Sequence, residues 1–165
     1  MNQRVIIYTD GSSRGNPGPG GHAAILTCGP HRKEISQGYR QTTNNRMELL
    51  AVISALETLR RPDLLVDVYT DSRYVIDPVQ QGWLFTWERN HFKNKKNPDL
   101  WQRFLPLYRA HRVTFHWVPG HSNIPLNEQC DRLAVAASRS PDLQIDFYHE
   151  DSQDFSPPLL PFPSR

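Results

Sequence analysis

From residue 42 onward the chain alternates between helical and extended apolar patterns, and this alternation restricts its fold more than any other feature. Residues 46–60 place Leu49, Val52, Ile53, Leu56 and Leu59 on one stripe with no glycine or proline, which is the recurrence of an amphipathic helix. Thr42, Thr43, Asn44 and Asn45 stand before it as candidate caps. An extended run follows at 64–70, helical segments begin at Ser72 and span 99–110, and a second extended run at 113–118 closes on Pro119-Gly120. Pro78 is expected to break the first of those helical segments. Two strands joined through helices imply a parallel pair, because an antiparallel pair needs only a short turn. A last helix is expected over 127–138.

The first part of the chain reads differently. Residues 4–9 form a short β-branched run ending in Asp10-Gly11-Ser12, an apolar run at 22–27 reads as a second strand, and 34–39 reads as a third. Between them, residues 11–21 hold five glycines and two prolines, which predicts a loop. Three closely spaced strands suggest an antiparallel meander. The expected architecture is α/β: a five-stranded mixed sheet, three antiparallel strands then two parallel, with helices on both faces. A chain of 165 residues suffices for one domain with a proper core. Residues 1–139 are expected to form it. Residues 140–165, with five prolines, five acids and no periodicity, are expected to be an irregular tail.

Net charge is +2 overall, but residues 141–165 carry −4, which leaves +6 on residues 1–140. A basic body suits a polyanionic partner, although a surplus of this size also occurs on proteins that bind none. No stretch approaches the roughly 20 apolar residues of a membrane span, and residues 1–4 lead straight into a strand pattern without a secretory signal, so a cytoplasmic location is expected. Cys28 and Cys130 show no CxxC spacing and read as packing thiols rather than zinc ligands or a disulfide. A monomer is the default.

The two β-branched runs end alike, in Thr9-Asp10-Gly11 and Thr70-Asp71-Ser72. In open α/β sheets functional groups collect where strands end and helices begin. Glu48, expected in the first turn of its helix, and Asp131, near the start of the last, join Asp10 and Asp71 as candidates for one shared site. Carboxylates about 4 Å apart repel by about 4 kcal/mol at an effective dielectric of about 20, so such a cluster calls for cations or protons. Oxygen-only ligands select magnesium or manganese over zinc. Taken singly, each acid reads at least as well as an Asx turn or a helix cap, and spacing alone does not bring them together.

Tyr8-Thr9-Asp10-Gly11-Ser12, Gly15-Asn16-Pro17-Gly18-Pro19-Gly20-Gly21, Thr42-Thr43-Asn44-Asn45-Arg46-Met47-Glu48-Leu49, Thr70-Asp71-Ser72 and Trp117-Val118-Pro119-Gly120-His121 occur in this order. Together they resemble type 1 ribonuclease H of bacteria, from about residue 4 to residue 138. The resemblance implies that fold, and an endonuclease that hydrolyses the RNA strand of an RNA–DNA hybrid with two magnesium ions, or manganese in their place, leaving 5′-phosphate and 3′-hydroxyl ends. It puts the metal-binding acids on Asp10, Glu48, Asp71 and Asp131, and a mobile catalytic histidine on His121. His22 and His116 read as structural.

The same resemblance assigns contacts with the RNA 2′-hydroxyls in the minor groove to Asn16, Asn44 and Asn45, and a DNA phosphate pocket to Thr43 with Arg40 nearby. Capping alone would also account for Asn44 and Asn45. The segment 83–96 interleaves aromatics with cations, a combination that stacks on sugars and neutralises phosphates. Trp83, Lys93, Lys95 and Lys96 are its candidates for substrate binding, while Trp87 and Phe92 suit core packing equally well. The glycine loop lacks GxxxxGK[ST] and is not read as a nucleotide-binding loop. Three departures from the family pattern stand out: a shorter basic protrusion, Arg73 where glutamine often follows Asp-Ser, and Ser122-Asn123-Ile124-Pro125 after His121. Two alternatives remain open, a hybrid-binding module without catalysis and a nuclease of this fold acting on DNA.

Overall fold

The computed structural model describes residues 3–120 and 123–154. β1 (Arg4–Ser13), β2 (Gly18–Cys28) and β3 (His31–Thr42) form the antiparallel meander, α1 (Asn44–Glu57) crosses over, and β4 (Leu65–Thr70) returns parallel to β1. α2 (Arg73–Gln80), α3 (Trp83–Arg89) and α4 (Pro98–Ala110) lead to β5 (Arg112–Trp117), parallel to β4, and α5 (Pro125–Ser138) follows. The five expected strands are therefore present with the expected pairing. α2 runs through Pro78 and stops two residues later, so the expected break is a near end.

The segment expected to be a loop is mostly strand. Only residues 14–17 connect β1 to β2, and four of the five glycines lie in the paired strands. For Gly11, Gly20 and Gly21 the cause is close packing of helices rather than turning, while Gly18 lies against the Arg14 carbonyl of the connection itself. A Cβ on Gly11 would overlap the Met47–Glu48 backbone of α1, and one on Gly21 would overlap the Ala134 carbonyl of α5. Gly20, whose Cβ would meet Met47, neighbours Gly21 and so points to the other face. α1 and α5 accordingly cover opposite faces of the sheet.

The core lies mainly under α1 and α4, where Ile7, Leu49, Ile53, Val66, Trp101 and Phe104 are almost fully buried. Phe92 is buried and Trp87 meets Trp101 edge-on at 6.1 Å between centroids, so both serve the core. Cys28 and Cys130 are free thiols; burial pushes the Cys130 thiol up to about 12. Among the described residues no helix is long and apolar enough to cross a membrane.

The tail departs from expectation. Leu143–Gln144 forms β6, which adds a sixth strand beside β3, and Phe147–Asp154 forms α6. Its anchor is Asp146, 7% exposed, which accepts from Thr42 Oγ1 at 2.7 Å and from Arg46 Nε and Nη2 at 2.7 and 2.9 Å. Burial alone would raise the Asp146 carboxyl, but the Arg46 and Thr42 hydrogen bonds hold it below its ordinary value. Arg46 is itself 3% exposed and also pairs with Asp99. A buried guanidinium needs such partners, and a single polar anchor leaves no periodic trace in the sequence. Residues 155–165 of the expected tail lie outside the described residues.

Candidate active site

Parallel pairing is what brings Asp10 and Asp71 together. β1 and β4 pair in register through Tyr8 and Tyr69, so Asp10, inside β1, and Asp71, just past the end of β4, each two residues further on, stand level on the same face. Beneath them the rings of Tyr8, Tyr69 and His116 stack across β1, β4 and β5 at 4.7 and 4.5 Å between centroids. His116 Nε2 also meets Asp67 Oδ1 at 2.7 Å, in keeping with a structural role. Past Tyr8, β1 continues to pair with β2 alone. Its other edge opens into a cleft of about 230 Å³ lined by Asp10, Gly11, Asn44, Glu48, Asp71, Asn127, Glu128 and Asp131.

Glu48 reaches this cleft from the opposite side of the sheet edge. Because α1 starts at Asn44 rather than Arg46, Glu48 sits in the second turn and not the first. Thr43 caps the helix, its side chain accepting from the Arg46 N–H at 3.2 Å. The Gly11 N–H donates both to Glu48 Oε1 and, at 2.9 Å, to Asp10 Oδ1, which ties the two carboxylates to one backbone amide.

One carboxylate oxygen from each of Asp10, Glu48 and Asp71 lies within 4.8 Å of the others. Asp131 is exposed and lines the same cleft outside this tight group. Burial, and then the neighbouring charges of Asp71 and Asp131, push the Asp10 carboxyl up from 3.8 to about 7, against the opposing hydrogen bonds of Glu48 and Gly11. Glu48 is raised well above its ordinary value by burial and by Asp10. Such a cluster disfavours its own ionisation and favours any cation that enters it.

Two cleft residues escaped the sequence reading. Glu128 and Asn127 precede Asp131 by three and four positions on α5, which places all three on one helical face; that spacing was an available signal. Asn127 is buried and its Oδ1 has no hydrogen-bond partner among the described residues. His121 lies outside the described residues. The turn leading to it comes close to the site: a Cβ on Gly120 would stand 3.2 Å from Asp71 Oδ2. Arg73, the departure noted after Asp-Ser, stacks its guanidinium on the exposed Trp117 ring at 4.4 Å.

Beyond the cleft, across the N-terminus of α1, lies a groove of about 430 Å³. It gathers Asn16, Thr43, Asn45, Lys95 and Lys96 from three parts of the chain. Asn44 faces the carboxylate cleft instead, and its N–H donates to Asn16 Oδ1 at 3.1 Å, so the cleft and the groove adjoin. Lys95 Nζ sits 5.1 Å from the centroid of the Trp87 ring. Trp83, 49% exposed, and Lys93, also exposed, line neither space. Arg40 is held by Glu150 through hydrogen bonds of 2.7–3.2 Å. The groove's remaining wall, including Asn97, Tyr148, His149 and Ser152, was not anticipated, and most of it belongs to α6.

The profile of the RNase H family matches residues 2–139. A ribonuclease H from Desulforamulus reducens is 50% identical over 149 residues, covering 87% of this chain and 93% of the relative. One from Nitratidesulfovibrio vulgaris is 54% identical over 141 residues, covering 82% and 90%. Among solved structures, LC9-RNase H1, described as a type 1 RNase H with the type 2 active-site motif, superposes with a TM-score of 0.75 at 30% identity, covering 92% of this chain and 82% of that one. LC11-RNase H1 in complex with RNA/DNA hybrid superposes at 0.60 with 28% identity, covering 82% and 96%.

Proposed function

Because the chain belongs to the ribonuclease H family, and is a nuclease of that metal-dependent class, we propose that it hydrolyses the RNA strand of RNA–DNA hybrids with two magnesium ions, leaving 5′-phosphate and 3′-hydroxyl ends. The observation that carries this reading is the meeting of Asp10, Glu48 and Asp71, from three separate elements, within 4.8 Å at the edge of a basic groove. The donor set fits a hard divalent cation: it is all oxygen, and burial without a counter-charge keeps Asp10 and Glu48 hard to ionise. Asp10, Glu48, Asp71 and Asp131 would hold the ions, with manganese as a substitute. When bound, the pair supplies an activated water and stabilises the leaving 3′ oxygen.

The chain's own residues do the rest. Gly11 fixes the orientation of the Asp10 and Glu48 carboxylates through its N–H. Asn16, Asn44 and Asn45 read the 2′-hydroxyls, the groups that tell RNA from DNA. Thr43, Lys95 and Lys96 take the DNA-strand backbone, with Trp83 and Lys93 extending the contact outward. His121 assists proton transfer or product departure. On this reading the protein acts as a cytoplasmic monomer, with Cys28 and Cys130 reduced.

Incubation with labelled RNA–DNA hybrid, double-stranded RNA and double-stranded DNA, each with magnesium or with chelator, tests the proposal. Cutting confined to the RNA of the hybrid and abolished by chelator is the expected result. Equal cutting of DNA would point to the DNA-acting alternative, and binding without cutting to the non-catalytic module.

A further inference from the structure

The groove described above is completed by a helix that the catalytic proposal leaves without a task. α6 is seated at two points, by Asp146 on Arg46 and Thr42, and by Glu150 on Arg40. Between these anchors His149 is 6% exposed and lines the groove with Thr43, Lys95 and Lys96. Its backbone N–H is satisfied by Asp146 Oδ1 at 3.3 Å, but among the described residues its ring Nε2 has no hydrogen-bond partner. A buried polar atom left unpaired is rare in folded proteins and asks for a partner that arrives with a ligand. The surroundings specify that partner's charge. Lys95 and Lys96 are free of carboxylates among the described residues, and Thr43 and Asn45 belong to the N-terminus of the 14-residue α1, whose dipole favours an anion.

We propose that α6 is a substrate-binding wall, in which the His149 ring turns its Nε2 out of the protein and donates it to a backbone phosphate of the nucleic acid held between the imidazole and the Lys95–Lys96 pair. The inference rests on the hybrid as substrate and deepens that reading. Tyr148, the next groove residue on α6, lies with its ring 5.1 Å from the Arg46 guanidinium carbon and is 43% exposed, so it braces the wall while offering an edge to the adjoining sugar. His149 is thus a residue for affinity and register, remote from the reacting bond.

The test uses the full chain with three enzymes, native, His149→Ala and His149→Gln, the glutamine retaining an N–H donor. KM and kcat are measured on a hybrid, together with binding by fluorescence anisotropy in chelator. Substrates carrying one neutral methylphosphonate are walked along the DNA strand and then along the RNA strand. His149→Ala is expected to raise KM roughly tenfold, the loss of one charge-assisted hydrogen bond, with kcat within about twofold; His149→Gln recovers most of it. At one linkage the methylphosphonate penalty seen with native enzyme should vanish in His149→Ala, and its strand identifies the source of the phosphate. Unchanged KM, penalties that stay additive at every linkage, or a loss that tracks the urea midpoint without recovery by glutamine would each overturn the proposal. Native protein that binds hybrid without cutting it would refute the nuclease reading alone, since the anisotropy arm still decides the role of His149.

Discussion

Replacing Asp10 with asparagine should make the metal-free protein more stable while abolishing cleavage. Asp10 is 8% exposed, and burial beside Asp71 and Asp131 lifts its carboxyl from 3.8 to about 7. A carboxyl with a raised folded-state value binds more protons when folded than when unfolded, so its ionisation subtracts stability as pH climbs from the unfolded value through the folded one. That interval, at 1.36 kcal/mol per pH unit, amounts to about 4 kcal/mol when fully developed near pH 8. Asparagine carries no charge and keeps an oxygen for the Gly11 N–H. The variant should therefore gain up to about 4 kcal/mol near pH 8 in chelator, less than about 2 kcal/mol near pH 5, and almost nothing near pH 3. For a chain of this length a gain of about 3 kcal/mol raises Tm by roughly 6–12 °C. Urea titrations at these three conditions measure it directly. Magnesium should stabilise the native protein and not the variant, and the variant should still bind hybrid through the basic groove. A variant no more stable than native near pH 8, or a gain independent of pH, would refute the claim that repulsion among buried carboxylates is stored at this site.

Three further outcomes follow from the same geometry. Gly11→Ala puts a Cβ into the α1 backbone at Met47 and Glu48; it should lower stability by about 1–3 kcal/mol and reduce kcat by displacing the amide that aligns two carboxylates, checked by urea titration and hybrid cleavage. Asp146→Ala removes one partner of a buried guanidinium and should lower stability by about 3 kcal/mol near neutral pH. Because the folded value of Asp146 is depressed, that loss should fade only as pH falls through the folded value, which a denaturation series against pH will show. Lys95→Ala with Lys96→Ala should raise KM, leave kcat nearly unchanged, and flatten the dependence of log affinity on log salt by roughly 0.9 for each phosphate that the lysines no longer neutralise.

Much of the protein was legible in its sequence because local physics repeats along the chain. Apolar periodicity announced five strands and the main helices, and the strand–helix–strand order required the parallel pair that places Asp10 and Asp71 at the same end of the sheet. Residue chemistry alone named a carboxylate, hard-cation site as a candidate. Whether the acids meet was a different matter, because Asp10, Glu48 and Asp71 are separated by 38 and 23 positions and only register and helix packing bring their oxygens within 4.8 Å. The glycines between Gly11 and Gly21 were misleading for the same reason: a missing side chain looks alike in a sequence whether the chain turns there or another helix lies against it. Residues 140–154 show the limit most clearly. Their composition opposes a packed segment, yet one buried carboxylate, Asp146, seats β6 and α6 beside the groove. A single long-range ion pair has no period, so composition could not announce it, and the tertiary structure alone decided that His149 would line the groove with Thr43, Lys95 and Lys96.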